Sequence, residues 1–127
     1  MLKTILVDFD GVLHSYASGW LGADVIPDPP VPGAIEWLRA LVVDEGLQVA
    51  IFSSRSNTTE GSRGRPGIAA MKRWLLSHGL ETRYLDVIEF PREKSPAHLT
   101  IDDRAICFEG TYPSAEEILA FVPWNKR

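Results

Sequence analysis

Apolar and polar positions along the chain switch between two periods, and the switches divide it into short elements. Residues 4–9 read TILVDF, a compact β-branched run of the kind that forms a strand buried on both faces of a parallel sheet. The connection that follows, GVLHSYASGWLGADVIPDPPVP, has about twenty residues without helical or strand periodicity, longer than compact domains normally tolerate outside lids and binding flaps. Its prolines, Pro27, Pro29, Pro30 and Pro32, favour extended backbone and then a helix start. A helix is predicted over 33–44, with Ala34, Ile35, Leu38, Leu41 and Val42 on one face and Gly46 as its stop.

LQVAIFSS predicts a second buried strand, and the polar SRSNTTEGSRGRPG a loop. Ile68, Met71, Trp74 and Leu75 then recur at helical spacing, closed by Gly79. RYLDVIEF predicts a third strand, HLTIDD a fourth and AICFEG a short fifth. Ser114 followed by Glu117 fits a capping box, with Ile118, Phe121 and Val122 as the apolar face of a last helix. Strand and helix thus alternate as in a three-layer α/β fold with a mainly parallel sheet. No internal repeat is visible.

Length and composition narrow the function classes. The 127 residues make one ordinary domain, with a flap at about 12–31 and an arginine-containing loop at about 54–66, and leave no space for a second catalytic domain. A net charge of -4 argues against coating nucleic acid through overall basicity. The single cysteine, Cys107, excludes an internal disulfide and is expected in the core. The opening MLKTILVDF has neither a signal-peptide pattern nor a membrane-length apolar run, which predicts a cytoplasmic protein with no membrane partner.

In open parallel sheets, ligands bind beyond the carboxyl ends of the strands. Asp8 and Asp10 follow the first predicted strand, Ser53 and Ser54 the second, Asp102 and Asp103 the fourth, so all six share one edge. Four carboxylates in one crevice repel each other and call for a hard cation; an oxygen-only donor set favours Mg2+ over Zn2+. A Mg2+ ion with open positions also receives phosphate oxygens. Lys94, arriving just before the Asp102–Asp103 strand, can supply further positive charge.

VDFDGVL, IFSSR, REKSP and LTIDDRA stand in the order and approximate spacing of the four motifs of the haloacid dehalogenase (HAD) superfamily, which the chain resembles over nearly its whole length. IDDRA together with SSR is also similar to the phosphatase domain of bacteriophage-type polynucleotide kinases. The resemblance implies a Mg2+-dependent phosphomonoester hydrolase in which Asp8 is the nucleophile and forms an aspartyl-phosphate. Asp10 would protonate the leaving oxygen and then activate water, its carbonyl helping to hold the metal. Ser53 would bond the transferring phosphoryl group, and Lys94 would offset its charge. The implied metal ligands are Asp8, Asp10, Asp103 and Asp102, with Asp102 alternatively an orienter. Substrate binding falls to Ser54, Arg55 and Gly11. No phosphate-loop motif for a nucleotide kinase is present.

Other residues carry two readings. Arg55, Arg63 and Arg65 either grip a polyanion or keep a glycine-rich loop soluble. Tyr16 and Trp20 either stack on a base or pack the flap, and His14 is read as a flap residue with a local hydrogen bond. A short flap instead of a cap domain predicts an open site, suited to a phosphorylated nucleic-acid end or nucleotide, or completed by a homo-oligomer. A metabolite phosphatase and a catalytically silent phosphate-binding or protein-interaction module stay open as alternatives. A phospho-accepting receiver is disfavoured, because its acidic pair would come first rather than last.

Overall fold

The computed structural model describes residues 2–57 and 66–127. Three strands form one parallel sheet: β1 (Lys3–Val7) in the centre, β2 (Leu47–Ile51) on one side and β3 (Leu99–Ile101) on the other. The helices are α1 (Ala34–Val42), α2 (Pro66–Ser77), a single turn α3 (Thr82–Leu85) and α4 (Ala115–Leu119). Single 3-10 turns cover Ser54–Asn57 and Trp124–Lys126. The architecture is α/β, and among the described residues no helix is long and apolar enough to cross a membrane.

The core lies where the apolar patterning is strongest. Ile5, Leu6 and Val7 of β1 are buried, as a central parallel strand requires. Val49 and Ile51 of β2, Ala34, Ile35 and Leu38 of α1, and Met71, Trp74 and Leu75 of α2 complete one cluster with Phe9 and Leu13.

Register positions the site. Val7 pairs with Ile51 on one side and with Ile101 on the other, so all three strands end in one row. Asp8 N–H donates to Ile101 C=O at 2.9 Å, and Phe52 N–H to Val7 C=O at 3.1 Å. The residues leaving the strands therefore emerge side by side. The flap returns to this row through a short antiparallel contact, in which Ser15 N–H donates to Pro29 C=O at 2.9 Å and Val31 N–H to Leu13 C=O at 2.8 Å.

Several expectations fail toward the C-terminus. Residues 83–90 do not form a strand: α3 occupies their start, and Glu89 makes one bridge to Ala50. Glu89 uses both its N–H (to Val49 C=O, 3.0 Å) and its C=O (from Ile51 N–H, 2.9 Å), but Pro91 lacks the N–H to extend the ladder. AICFEG forms no strand either, and Cys107 is exposed rather than in the core. The capping box does form, with Glu117 N–H donating to Ser114 Oγ at 3.1 Å, yet Ile118 and Val122 stay exposed and α4 has no buried residue.

Candidate functional site

The row of strand ends gathers a cluster of three carboxylates. One oxygen from each of Asp8, Asp102 and Asp103 lies within 4.8 Å of the other two. Asp8 comes from β1, whereas Asp102 and Asp103 leave β3, so the cluster exists because β1 and β3 are parallel and in register. Asp102 Oδ1 accepts from Arg104 N–H at 2.8 Å, a local turn that starts the chain away from the strand. The Asp103 side chain is almost fully covered, with the Arg104 guanidinium 3.9 Å away.

Gly11 explains part of that cover. Its φ of +82° lies in the left-handed region, and a Cβ there would collide with the Asp103 carboxylate. Glycine is required by conformation and by space together. Its contribution is therefore close backbone approach; the carbonyl accepts the Trp124 indole N–H at 2.8 Å, which ties the C-terminal turn to this loop.

Electrostatics mark Asp8 as the unusual member. Burial is the main cause that pushes its carboxyl up to about 8, helped by a hydrogen bond with Asp103 and by the charges of Asp102 and Asp103. The Phe9 N–H, donating to Asp8 Oδ1 at 2.8 Å, opposes this. Without a counter-charge, then, Asp8 holds its proton at neutral pH. An all-oxygen set whose members cannot ionise together fits a hard divalent cation, which would replace the shared proton.

Asp10 is directed elsewhere. Its carboxylate takes Arg55 Nε–H on both oxygens, at 3.1 and 2.9 Å, and the His14 Nδ1–H at 2.8 Å. The carboxylate is thus held by Arg55 and His14, and the metal role that the resemblance implies for Asp10 rests on its backbone carbonyl. The physical reason is the buried guanidinium: Arg55 is 0% exposed and would be costly to leave without a carboxylate.

Arg55 is accordingly not turned outward toward a substrate. Its Nη1 donates to the flap carbonyls of Gly22, Ala23 and Val25 at 2.8, 2.9 and 3.2 Å, and its guanidinium lies 4.8 Å from the Trp20 ring centroid. Trp20 thus packs the flap with one side still exposed, and Tyr16 packs edge-on against His14.

Ser53 is buried at the end of β2, and its Oγ accepts from Arg55 N–H at 3.2 Å, which leaves the hydroxyl proton to donate. Ser54, next in the chain, is exposed. Lys94 is exposed too and forms no ion pair with a carboxylate among the described residues. Pro91 and Pro96 on either side hold its segment outside any ladder. Arg63 and Arg65 lie outside the described residues.

Sequence reasoning missed the partners of Asp10. The only local signal was His14 four residues on; Asp28 and Trp74, which hold His14 in place, come from farther along the chain. In comparisons with known proteins, no family model matches the chain and no curated protein sequence matches it.

Proposed function

We propose that the chain is a Mg2+-dependent phosphomonoester hydrolase of the HAD type, with a three-layer Rossmann-like domain and a short flap in place of a cap. The observation that carries this reading is the convergence of Asp8, Asp102 and Asp103 at one row of strand ends, with the Ser53 hydroxyl at the end of the neighbouring strand. Asp8, Asp103 and Asp102, together with the Asp10 carbonyl, would hold Mg2+. When bound, the ion offsets the negative charge of the carboxylates and of the phosphoryl oxygens.

In the first half-reaction, an Asp8 carboxylate oxygen attacks phosphorus and the ester P–O bond breaks, giving an aspartyl-phosphate and an alkoxide that takes a proton from Asp10. In the second, Asp10 accepts a proton from water, whose oxygen attacks phosphorus; the Asp8–phosphate bond breaks and inorganic phosphate leaves. Ser53 donates to a phosphoryl oxygen throughout. Aligning the groups and offsetting charge is most of what phosphoryl transfer requires. Lys94, exposed and without an ion pair to the triad, is the least supported of the assigned roles. That feature favours the alternative of a silent phosphate-binding or interaction module.

Among the described residues there is no cap domain, which supports an open site, and hence a bulky substrate such as a nucleic-acid end or nucleotide, or closure by a second copy of the chain. A metabolite phosphatase remains the competing substrate class. Inorganic phosphate release is the test, comparing wild type with Asp8→Asn, with and without Mg2+, on p-nitrophenyl phosphate, mononucleotides, sugar phosphates and 3′- and 5′-phosphorylated oligonucleotides. Release that needs both Mg2+ and Asp8 is the expected result. Folded, metal-binding protein that hydrolyses none of these would favour the silent module.

A further inference from the structure

His14 is the only histidine among the described residues that is wholly buried, and both its ring nitrogens are engaged. Nε2 accepts from the Asp28 backbone N–H at 3.1 Å. A backbone amide can only donate, so Nε2 carries no proton, and the ring hydrogen sits on Nδ1, facing Asp10 Oδ1 at 2.8 Å. The 3.6 Å approach of Nε2 to the Asp28 carboxylate is therefore not an ion pair.

The ring has little freedom to turn. Phe9 stacks at 5.8 Å, and Trp74 and Tyr16 meet it edge-on at 5.6 and 5.9 Å. Asp28 is fixed as well: its carboxylate accepts Ser18 N–H at 2.7 Å and Ser18 Oγ–H at 2.6 Å, and its carbonyl accepts the Trp74 indole N–H at 3.0 Å. Tyr16, beside this network, holds a φ of 61°, a left-handed conformation that a non-glycine residue adopts only under the constraint of its surroundings.

We propose that His14 is a positioning residue for Asp10, its tautomer set by the seated flap, so that flap seating and proton delivery by Asp10 are coupled. Arg55 supplies the charge that keeps Asp10 in place, while His14 supplies one directional donor on one oxygen. When the flap unseats, Nε2 loses the amide that selects its tautomer, and Asp10 loses a fixed orientation. This role rests on the hydrolase reading above.

Two measurements test it. In 15N-histidine NMR of the wild-type protein, His14 is expected as the Nδ1–H tautomer; an Nε2–H tautomer would overturn the proposal. The second measurement compares leaving groups, because proton delivery matters for a strongly basic alkoxide and little for p-nitrophenolate. His14→Asn keeps an N–H where Nδ1–H stands, whereas His14→Gln reaches toward the Asp28 amide instead. His14→Gln is expected to lower kcat for an alkyl phosphate about 10–100-fold more than for p-nitrophenyl phosphate, with KM little changed, and His14→Asn to recover most of that difference. Equal losses on both esters, or equal behaviour of the two variants, would overturn this role alone. No Mg2+-dependent release by wild type on either ester would overturn the hydrolase reading, and this role with it.

Discussion

On the flap side of the site, the Asp10 carboxylate meets His14 and Arg55, both wholly buried, whereas Asp102 and Asp103 leave β3, a strand whose three residues are all exposed. The flap side is complete in itself, since each charge there has a partner. In the triad three carboxylates face one another, and burial with the neighbouring charges pushes the Asp8 carboxyl up to about 8. On the proposed reading, stability and ligand response belong to different halves of one site. The same division runs through the molecule: the β1, α1, β2 and α2 residues form a dense core, while Ile106, Phe108, Ile118 and Leu119 stay exposed.

Variants on the two sides should differ accordingly. Arg55→Ala removes the partner of partly buried Asp10 and leaves three flap carbonyls without their donor, and is expected to cost about 3–5 kcal/mol in urea unfolding. A loss under about 1 kcal/mol would erase the distinction. Leu38→Ala, at a wholly buried α1 position, is expected to cost about 2–5 kcal/mol by the same measurement.

Metal and pH sharpen the other side. Mg2+ at about 100 times its Kd is expected to stabilise wild type by about 2.7 kcal/mol in thermal unfolding, with most of this lost in Asp103→Asn. Protons compete for the same cluster. Asp8 is raised from 3.8 to about 8 on folding, so metal-free folded protein binds a proton that the unfolded chain releases. Its contribution is fully present below about pH 4 and lost as pH rises through about 8. Tm of metal-free wild type should thus fall relative to Asp8→Asn across that window, and a constant difference would contradict the assignment. The smallest effect belongs to Leu119→Ala, at an 85% exposed position, expected within about 0.5 kcal/mol of wild type.

The elements legible in the sequence are those whose apolar period coincides with burial. TILVDF and LQVAIFSS became β1 and β2, and the spacings through Leu38 and Trp74 became α1 and α2, because those residues are the core. The strand-end row was legible for the same reason: apolar runs ending in Asp8, Ser53 and Asp102 had to end together once the sheet was parallel. Period and burial part company after Ile88. Residues 83–90 hold apolar positions suited to either element, and Pro91 stops the ladder that would have favoured a strand. Ile106, Phe108 and Ile118 read as core only if apolar side chains must be covered within one chain, and here they are not. The ion pair of Asp10 with Arg55 was not legible, because Arg55 lies 45 residues away and no local pattern encodes that pairing.

The most direct test of the central claim is to mix the protein with Mg2+ and a 32P-labelled phosphomonoester, quench within the first turnover, and map the label. Label on Asp8, released by hydroxylamine as inorganic phosphate, as an acyl-phosphate linkage requires, and missing from Asp8→Asn, is the predicted result. Phosphate release at full rate by Asp8→Asn, with no labelled carboxylate in either protein, would contradict it.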